Sequence, residues 1–183
     1  MKLYILLFVC LSSRFSFAAK IPLHLVEHAD SIDKTLTIRH QDLAEYLMIA
    51  TSSDREKVFI FAYWIAKNIH YNKNELKRLD RNKIPREVLD NRRAVCGGYS
   101  NLFEQLCQDA SILAYSVSGY AYGKFIKRTF KNGSLKHGWN VVYLNGRWEL
   151  VDVTWCTEEA KENKFKESLE LEWLLMDPLT FSQ

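Results

Sequence analysis

The chain has 183 residues, of which 48% are hydrophobic and 26% are charged, which is an ordinary composition for one globular domain. Its formal net charge of +3 is weak, and two of the positive charges, Lys2 and Arg14, lie at the extreme N-terminus. A chain with so little excess positive charge is not expected to bind a polyanion. Composition therefore argues against a nucleic-acid partner.

The first 18 residues have the pattern of a secretory signal peptide. Lys2 precedes a nine-residue apolar run, Leu3–Leu11, and Ser16 and Ala18 place small residues where a signal peptidase reads them. The apolar run is too short to span a bilayer as a helix, and no later stretch is long enough, so no stable membrane span is expected. We therefore predict a signal peptide at 1–18 and a secreted or periplasmic location.

Removal of the signal peptide would leave three cysteines, Cys96, Cys107 and Cys156. An odd number of cysteines in an exported protein indicates a free thiol. Cys96 and Cys107 cannot form a disulfide if both lie on one helix, because the eleven-residue separation at about 1.5 Å per residue places them roughly 16 Å apart. The limit for a disulfide is about 7 Å. A Cys107–Cys156 disulfide and two buried thiols are both compatible with the sequence.

The N-terminal part of the mature chain is predicted to be a polar segment followed by helices. Residues 19–41 show no clear hydrophobic period, so we assign them no regular structure and begin the domain, 42–183, after them. A short helix is predicted from Asp42 to Ala50. Ser53 and Glu56 have the spacing of a capping box, and they precede the sequence KVFIFAYWIAKNI, which predicts a central and mostly buried helix.

The next segment, 72–93, mixes acidic and basic side chains. Because the acids interrupt the bases, we predict a solvated connection with a short helix near 86–91 rather than a binding patch.

The helix that begins at Cys96 has the clearest amphipathic period in the chain. Its apolar side chains recur at the spacing of one helical face, as Tyr99, Leu102, Phe103, Leu106, Cys107 and Ala110. The N–H groups at a helix start favour the thiolate form of a cysteine placed there. Gly97 and Gly98 follow Cys96 directly, and they would leave room for a substrate carbonyl beside the sulfur.

The C-terminal half is predicted to form strands, over 112–122, 137–144, 147–154 and 169–176. A basic loop, 124–136, with a turn at Asn132-Gly133 follows the first strand. Asn145-Gly146 joins the second strand to the third, and this dipeptide is the strongest short signal for a β-hairpin.

The hairpin predicts where His137 and Asp152 lie. A two-residue loop pairs Leu144 with Arg147, and the same register makes His137 and Asp152 diagonal neighbours on one face, about 7–8 Å apart. The rest of that face is aromatic and aliphatic, so we expect it to pack on the Cys96 helix. Because a buried histidine and aspartate need polar partners, the pattern predicts that Cys96, His137 and Asp152 form one site of nucleophile, base and orienting group.

These segments together resemble the transglutaminase-like superfamily, a papain-related group that includes transglutaminases and several peptidases. The resemblance covers residues 42–180 and rests on the motifs LAEYL, DREKVFIFAYWIAKNIHYN, REVLDNRRAVCGGYSNLFEQLC, VSGYAYG, HGWNVVYLNGRWELVDVTW and WLLMDP. It is strongest with the branch that includes the kyphoscoliosis-type peptidases and many bacterial exported proteins. The resemblance implies an α+β fold with a papain-like transglutaminase core, in which N-terminal helices and the cysteine-bearing helix pack on an antiparallel β-sheet.

The resemblance also implies roles for the three residues. Cys96 would be the nucleophile, His137 the general base and Asp152 the partner that orients the base. The family's chemistry is attack on a carboxamide or peptide carbonyl to form a thioester, which water or an amine then resolves, without a metal or other cofactor. We therefore expect a thiol-dependent enzyme that acts on a protein or peptide substrate, with hydrolysis favoured.

Two alternatives within the same fold are an amine-transferring transglutaminase or deamidase and a catalytically silent interaction module. A different enzyme class is suggested by His24, Glu27 and His28, which match the H-x-x-E-H pattern of one group of zinc peptidases. Because no long helix is expected around this motif, we predict a polar N-terminal segment there and no metal site.

Overall fold

The computed structural model describes residues 22–33, 39–72, 84–122, 134–157, 173–176 and 178. The helices are α1 (Leu23–Asp30), α2 (His40–Met48), α3 (Asp54–Asn68), α4 (Pro85–Asn91) and α5 (Cys96–Asp109). The strands are β1 (His70–Tyr71), β2 (Arg93–Ala94), β3 (Ala114–Tyr122), β4 (Ser134–Leu144), β5 (Arg147–Val151) and β6 (Leu174–Met176). Across these ranges, every helix is too short or too polar to cross a membrane. The predicted signal peptide and the Asn132-Gly133 turn lie outside the described residues.

The main architecture is a layer of helices on an antiparallel sheet, which confirms the predicted α+β fold. The sheet has the strand order β3-β4-β5-β6. Helix α5 packs with one side on β3 and β4 and with the other on α2 and α3. Its predicted apolar side chains are buried, among them Tyr99, Phe103 and Leu106. The hydrophobic core therefore lies around α5, between the sheet and the other helices.

Helix α3 begins at the predicted cap. Ser53 is the N-cap, and its hydroxyl oxygen accepts a hydrogen bond from the Glu56 N–H at 3.3 Å. The Glu56 carboxylate accepts from the backbone N–H of Ser52 at 2.7 Å, one residue before the position expected in a capping box. As predicted, the helix is mostly buried, with Phe61 and Trp64 in the core.

The expectation of no regular structure over residues 19–41 is wrong for Leu23–Asp30, which form α1. Leu25 and Ala29 are buried on this helix, which packs on α3. The Asp30 carboxylate accepts hydrogen bonds from the Tyr63 hydroxyl at 3.1 Å and from Lys67 Nζ at 2.6 Å. A helix this short is marginal alone, so contacts with α3, which are remote in sequence, stabilise it.

The connection before α5 is anchored by a small parallel ladder. As predicted, a short helix forms near 86–91, and it is α4. Strands β1 and β2 then pair His70 with Arg93 and Tyr71 with Ala94. Residues 73–83 of the charged segment lie outside the described residues. The ladder fixes the chain just ahead of Cys96.

The β4–β5 hairpin has the predicted register. Its pairs run from Leu144↔Arg147 to Asn140↔Val151, and the left-handed φ angles of the two loop residues, 51° and 82°, suit a two-residue hairpin turn. Strand β5 ends at Val151, three residues earlier than expected, because Asp152 begins a turn. In that turn the Cys156 N–H donates to the Asp152 carbonyl oxygen at 3.0 Å.

The sheet face that packs on α5 is the opposite of the predicted one. We expected the face bearing His137 to meet the helix. Instead, Asn140 Nδ2 donates to the Ser100 carbonyl oxygen at 2.9 Å, and the Ser116 hydroxyl donates to the Ser100 hydroxyl at 3.0 Å. Val142, on the same face as Asn140, is fully buried.

Bulk explains the choice of face. The other face carries large aromatic side chains near the hairpin, and Tyr115, Tyr143 and Trp148 are 50%, 42% and 39% exposed there. The rings of Tyr115 and Tyr143 both contact the Trp148 ring, with centroid distances of 5.9 Å and 5.2 Å, respectively. Compact side chains on the inner face let the backbone of α5 come close to the sheet.

Candidate active site

Cys96, His137 and Asp152 meet at one place in the fold. Cys96 is the first residue of α5, His137 lies on β4, and Asp152 follows β5 directly. The site lies just beyond Asn140↔Val151, where the β4–β5 ladder ends. His137 Nε2 is 2.6 Å from Asp152 Oδ2, which leaves Nδ1 for the hydrogen bond that His137 shares with the Cys96 thiol. The residues are only 8%, 3% and 1% exposed, in chain order.

The environment of Cys96 favours the thiolate. Burial by itself raises the pKa of this thiol, but the hydrogen bond and charge of His137 act against burial. The backbone N–H groups of Gly138 and Gly97 also hydrogen-bond to the sulfur, and the net result is a pKa below the ordinary value of 9.0. Both effects are those that activate a cysteine at a helix N-terminus beside a histidine.

The environment of His137 favours the imidazolium. Burial lowers the pKa of the ring, but the hydrogen bond to Asp152, the hydrogen bond to Cys96 and the charges of both raise it from 6.5 to about 9. Both shifts favour the same ion pair, a thiolate beside an imidazolium, with Asp152 on the far side of the ring.

Gly138 lies where the start of α5 meets the strand that carries His137. A Cβ atom at this position would lie 3.4 Å from Ser100 Oγ and 3.7 Å from the Gly97 nitrogen. A methyl group would fit here in ordinary contact, whereas a larger side chain would meet the start of α5. The Gly138 N–H hydrogen-bonds to the Cys96 sulfur. The sequence analysis missed this role, although a glycine inside a strand is a signal of close backbone approach.

Asp152 is held by its own turn and by the residue that precedes β6. Its Oδ1 atom accepts a hydrogen bond from the backbone N–H of Trp155 at 3.0 Å, which leaves Oδ2 for His137. Its backbone N–H donates to the Trp173 carbonyl oxygen at 2.9 Å. The carboxylate is therefore fixed in position before any substrate binds.

Two indole rings contact the imidazole of His137, and the sequence analysis missed them as part of the site. The Trp155 ring stacks on it with centroids 4.7 Å apart and an interplanar angle of 16°. The Trp139 ring centroid is 6.1 Å from the imidazole centroid, with an interplanar angle of 26°. The Trp173 ring packs edge-on against the Trp155 ring, with centroids 4.6 Å apart. Apolar rings around the imidazole lower the local dielectric and so strengthen its hydrogen bonds.

The other cysteines differ from Cys96. Cys107 and Cys156 are buried thiols, and no disulfide joins them. Burial, with a smaller contribution from the charge of Glu104, raises the pKa of the Cys107 thiol far above its usual value. Cys107 is therefore a core residue with little nucleophilic character.

The H-x-x-E-H motif does not form a metal site in the part of the chain that the structure describes. His24, Glu27 and His28 lie on α1, but His28 Nε2 is 2.7 Å from the Tyr46 carbonyl oxygen and its ring stacks on the Tyr46 ring at 4.5 Å. Within the same residues, no group of three His, Cys, Asp or Glu side chains is placed to hold a metal ion. His28 thus has a packing role between α1 and α2.

Comparison with known sequences places the chain in a family. Residues 41–153 match the transglutaminase-like superfamily. The chain belongs to this superfamily. Over 140 residues it is 34% identical to the kyphoscoliosis peptidase of Mus musculus, and this alignment covers 74% of the chain and 21% of the peptidase. Over 173 residues it is 28% identical to hillarin of Drosophila melanogaster, and this alignment covers 84% of the chain and 20% of hillarin. The chain spans about a fifth of the length of these relatives.

A solved structure shares the fold. The periplasmic domain of TgpA from Pseudomonas aeruginosa superposes with a TM-score of 0.51 at 18% sequence identity, over 79% of this chain and 53% of that one. The chain is thus a transglutaminase-like, cysteine-protease-like domain, as its motifs predict.

Proposed function

We propose that the protein is a thiol-dependent hydrolase that cleaves an amide bond of a protein or peptide, with Cys96 as nucleophile, His137 as acid and base, and Asp152 as its orienting group. The observation that carries the proposal is the buried hydrogen-bonded series in which the thiol contacts an imidazole whose other nitrogen is 2.6 Å from a carboxylate. This is the arrangement that nucleophilic catalysis by cysteine requires. The identity to the kyphoscoliosis peptidase supports hydrolysis.

The reaction follows from the charges of the resting site. The Cys96 thiolate attacks the carbonyl carbon, and the imidazolium of His137 gives its proton to the departing amine. The resulting thioester is attacked by a water molecule whose proton passes to His137, which releases the acid and restores the thiolate–imidazolium pair. The backbone N–H of Cys96, the first residue of α5, precedes the N–H groups that donate to the Val95 carbonyl oxygen, and it would bind the negative oxygen that forms during both attacks.

Asp152 determines which nitrogen of His137 transfers protons in this reaction. Because it occupies Nε2, only Nδ1 of His137 can exchange a proton with the sulfur, the amine or the water. Its charge also stabilises the imidazolium each time that this form appears.

Export is part of the proposal. The signal-peptide pattern at 1–18 supports it, and TgpA, whose periplasmic domain shares the fold, shows that this kind of domain occurs outside the cytoplasm. Expression of the full chain with a C-terminal tag, followed by N-terminal sequencing of the extracellular or periplasmic protein, tests it. A new N-terminus near Ala19 is expected, and an intact Met1 on protein retained in the cell would contradict it.

One incubation tests the chemistry. A glutamine-containing protein and a tagged amine are mixed with the enzyme, and mass spectrometry of the products separates peptide cleavage, deamidation and amine incorporation. We expect cleavage or deamidation that disappears in Cys96→Ala. Cys107→Ala, which removes a buried thiol from the same helix, is the matched control and should retain activity. Tagged products would instead support the amine-transferring alternative, and no product of any kind would support the silent module.

A further inference from the structure

Gly119 on β3 lies directly opposite His137 on β4. The indole of Trp139, two residues further along β4 and on the same face, lies across this glycine. A Cβ atom at position 119 would be 2.5 Å from Trp139 Cη2 and 3.2 Å from its Cζ3. Packed carbon atoms stand about 3.5–4.0 Å apart, so any side chain at 119 would displace the indole by about 1 Å or more.

The need for glycine here is steric. The backbone of Gly119 is outside the left-handed region, in contrast to Gly146, so an alanine could adopt the same conformation. Glycine inside a strand also weakens it relative to alanine. The strand by itself would therefore favour a side chain at this position, and the indole is what excludes one.

We propose that Gly119 is a positioning residue that acts through Trp139 on His137. By leaving space over β3, it lets the indole lie within contact distance of the imidazole, on which Trp155 also stacks. An indole face attracts an imidazolium and excludes water from its hydrogen bonds. Gly119 thereby helps to keep His137 in the charged form and in the orientation that Cys96 and Asp152 require. This inference rests on the proposed function, since it concerns the acid–base residue of that site.

The test is a double-mutant cycle on positions 119 and 139, with Ser118→Ala, an exposed neighbour on β3, as the control. Two properties are measured: the NMR shifts of the His137 imidazole protons across pH, and the rate of Cys96 alkylation by iodoacetamide at pH 6. We expect Gly119→Ala to move the proton signals away from their ring-shifted positions, to lower the pH at which they titrate, and to slow alkylation about two- to tenfold. Ser118→Ala should change neither property.

The cycle decides between an effect through the indole and a general one. In a Trp139→Leu background, Gly119→Ala should have no further effect, since no ring remains to be displaced. An equal effect in both backgrounds, or unchanged imidazole signals in Gly119→Ala, would overturn the inference. If Gly119→Ala does not fold, Trp139→Leu alone tests the indole's part, and unchanged His137 signals in that variant would also overturn it. Both readouts report the ion pair and need no turnover, so they can succeed or fail independently of the hydrolase proposal.

Discussion

Replacing Asp152 with asparagine should remove the negative charge beside His137 while leaving the turn at residue 152 in place. The asparagine can still accept the Trp155 N–H through Oδ1, so its amide nitrogen then faces His137 Nε2. A donor in that position forces the proton of a neutral imidazole onto Nδ1, toward the sulfur, which is the wrong tautomer for a base. The carboxylate that stabilises the imidazolium is also lost.

The size of the effect follows from the pKa of His137. Its rise from 6.5 to about 9 corresponds to roughly 3 kcal/mol in favour of the imidazolium, and the Asp152 hydrogen bond is the largest of the contributions that raise it. Without the ion pair, the Cys96 thiol should return to its ordinary pKa of 9.0 or above. At pH 6 such a thiol is ionised in only about one molecule in a thousand.

The assay is the rate of Cys96 alkylation by iodoacetamide from pH 4 to pH 10, read by mass spectrometry of the intact chain. We expect Asp152→Asn to slow labelling at pH 6 by about 10- to 1,000-fold, with rates converging in alkaline solution. Asp109→Asn is the matched control, because it removes the charge of another carboxylate that lies 2.6 Å from a histidine, His40, at the other end of α5. A profile for Asp152→Asn that overlays the native one would refute the role given to the carboxylate.

Three further predictions follow from the same contacts. Gly138→Val adds methyl groups beyond a Cβ that would already touch Ser100 Oγ and the Gly97 nitrogen, so we expect slower Cys96 alkylation and a loss of about 1–3 kcal/mol in the free energy of unfolding, measured by urea denaturation. Ser53→Ala removes the α3 cap and should lower that free energy by about 1 kcal/mol while leaving alkylation unchanged. Turnover plotted against pH should be bell-shaped: its acid limb reports Cys96 and lies below pH 9, because protonation destroys the thiolate. Its alkaline limb lies near pH 9, where His137 loses its proton; a single limb there would contradict the ion pair.

The sequence predicts much of the site because the site residues lie in strongly patterned segments. The helical period after Cys96 locates α5 within a residue, and Asn145-Gly146 sets the hairpin register that the structure contains. The alternation of side chains along a strand, however, shows only which side chains share a face. It does not show which of the two faces a helix will cover. Both faces of β4 carry apolar side chains, and the choice depends on which face has side chains compact enough for α5 to approach, which is a tertiary contact.

The supporting parts of the site could not be located for a related reason. Tryptophans such as Trp139 and Trp155 are usual core residues, and only coordinates show that their rings contact His137. The same holds for α1, since its two buried positions, Leu25 and Ala29, are too few to make a clear period. Residues stabilised by contacts distant in sequence leave little local signal.

The most direct test of the central proposal is to trap the thioester. The protein is mixed with a library of glutamine-containing peptides, quenched in acid within one turnover, and its intact mass is measured. We predict an adduct on Cys96 that has lost the mass of ammonia or of the C-terminal fragment, and that is absent from Cys96→Ser. A native protein that alkylates rapidly at pH 6 but forms neither adduct nor product with any peptide would contradict the account of this domain as an enzyme.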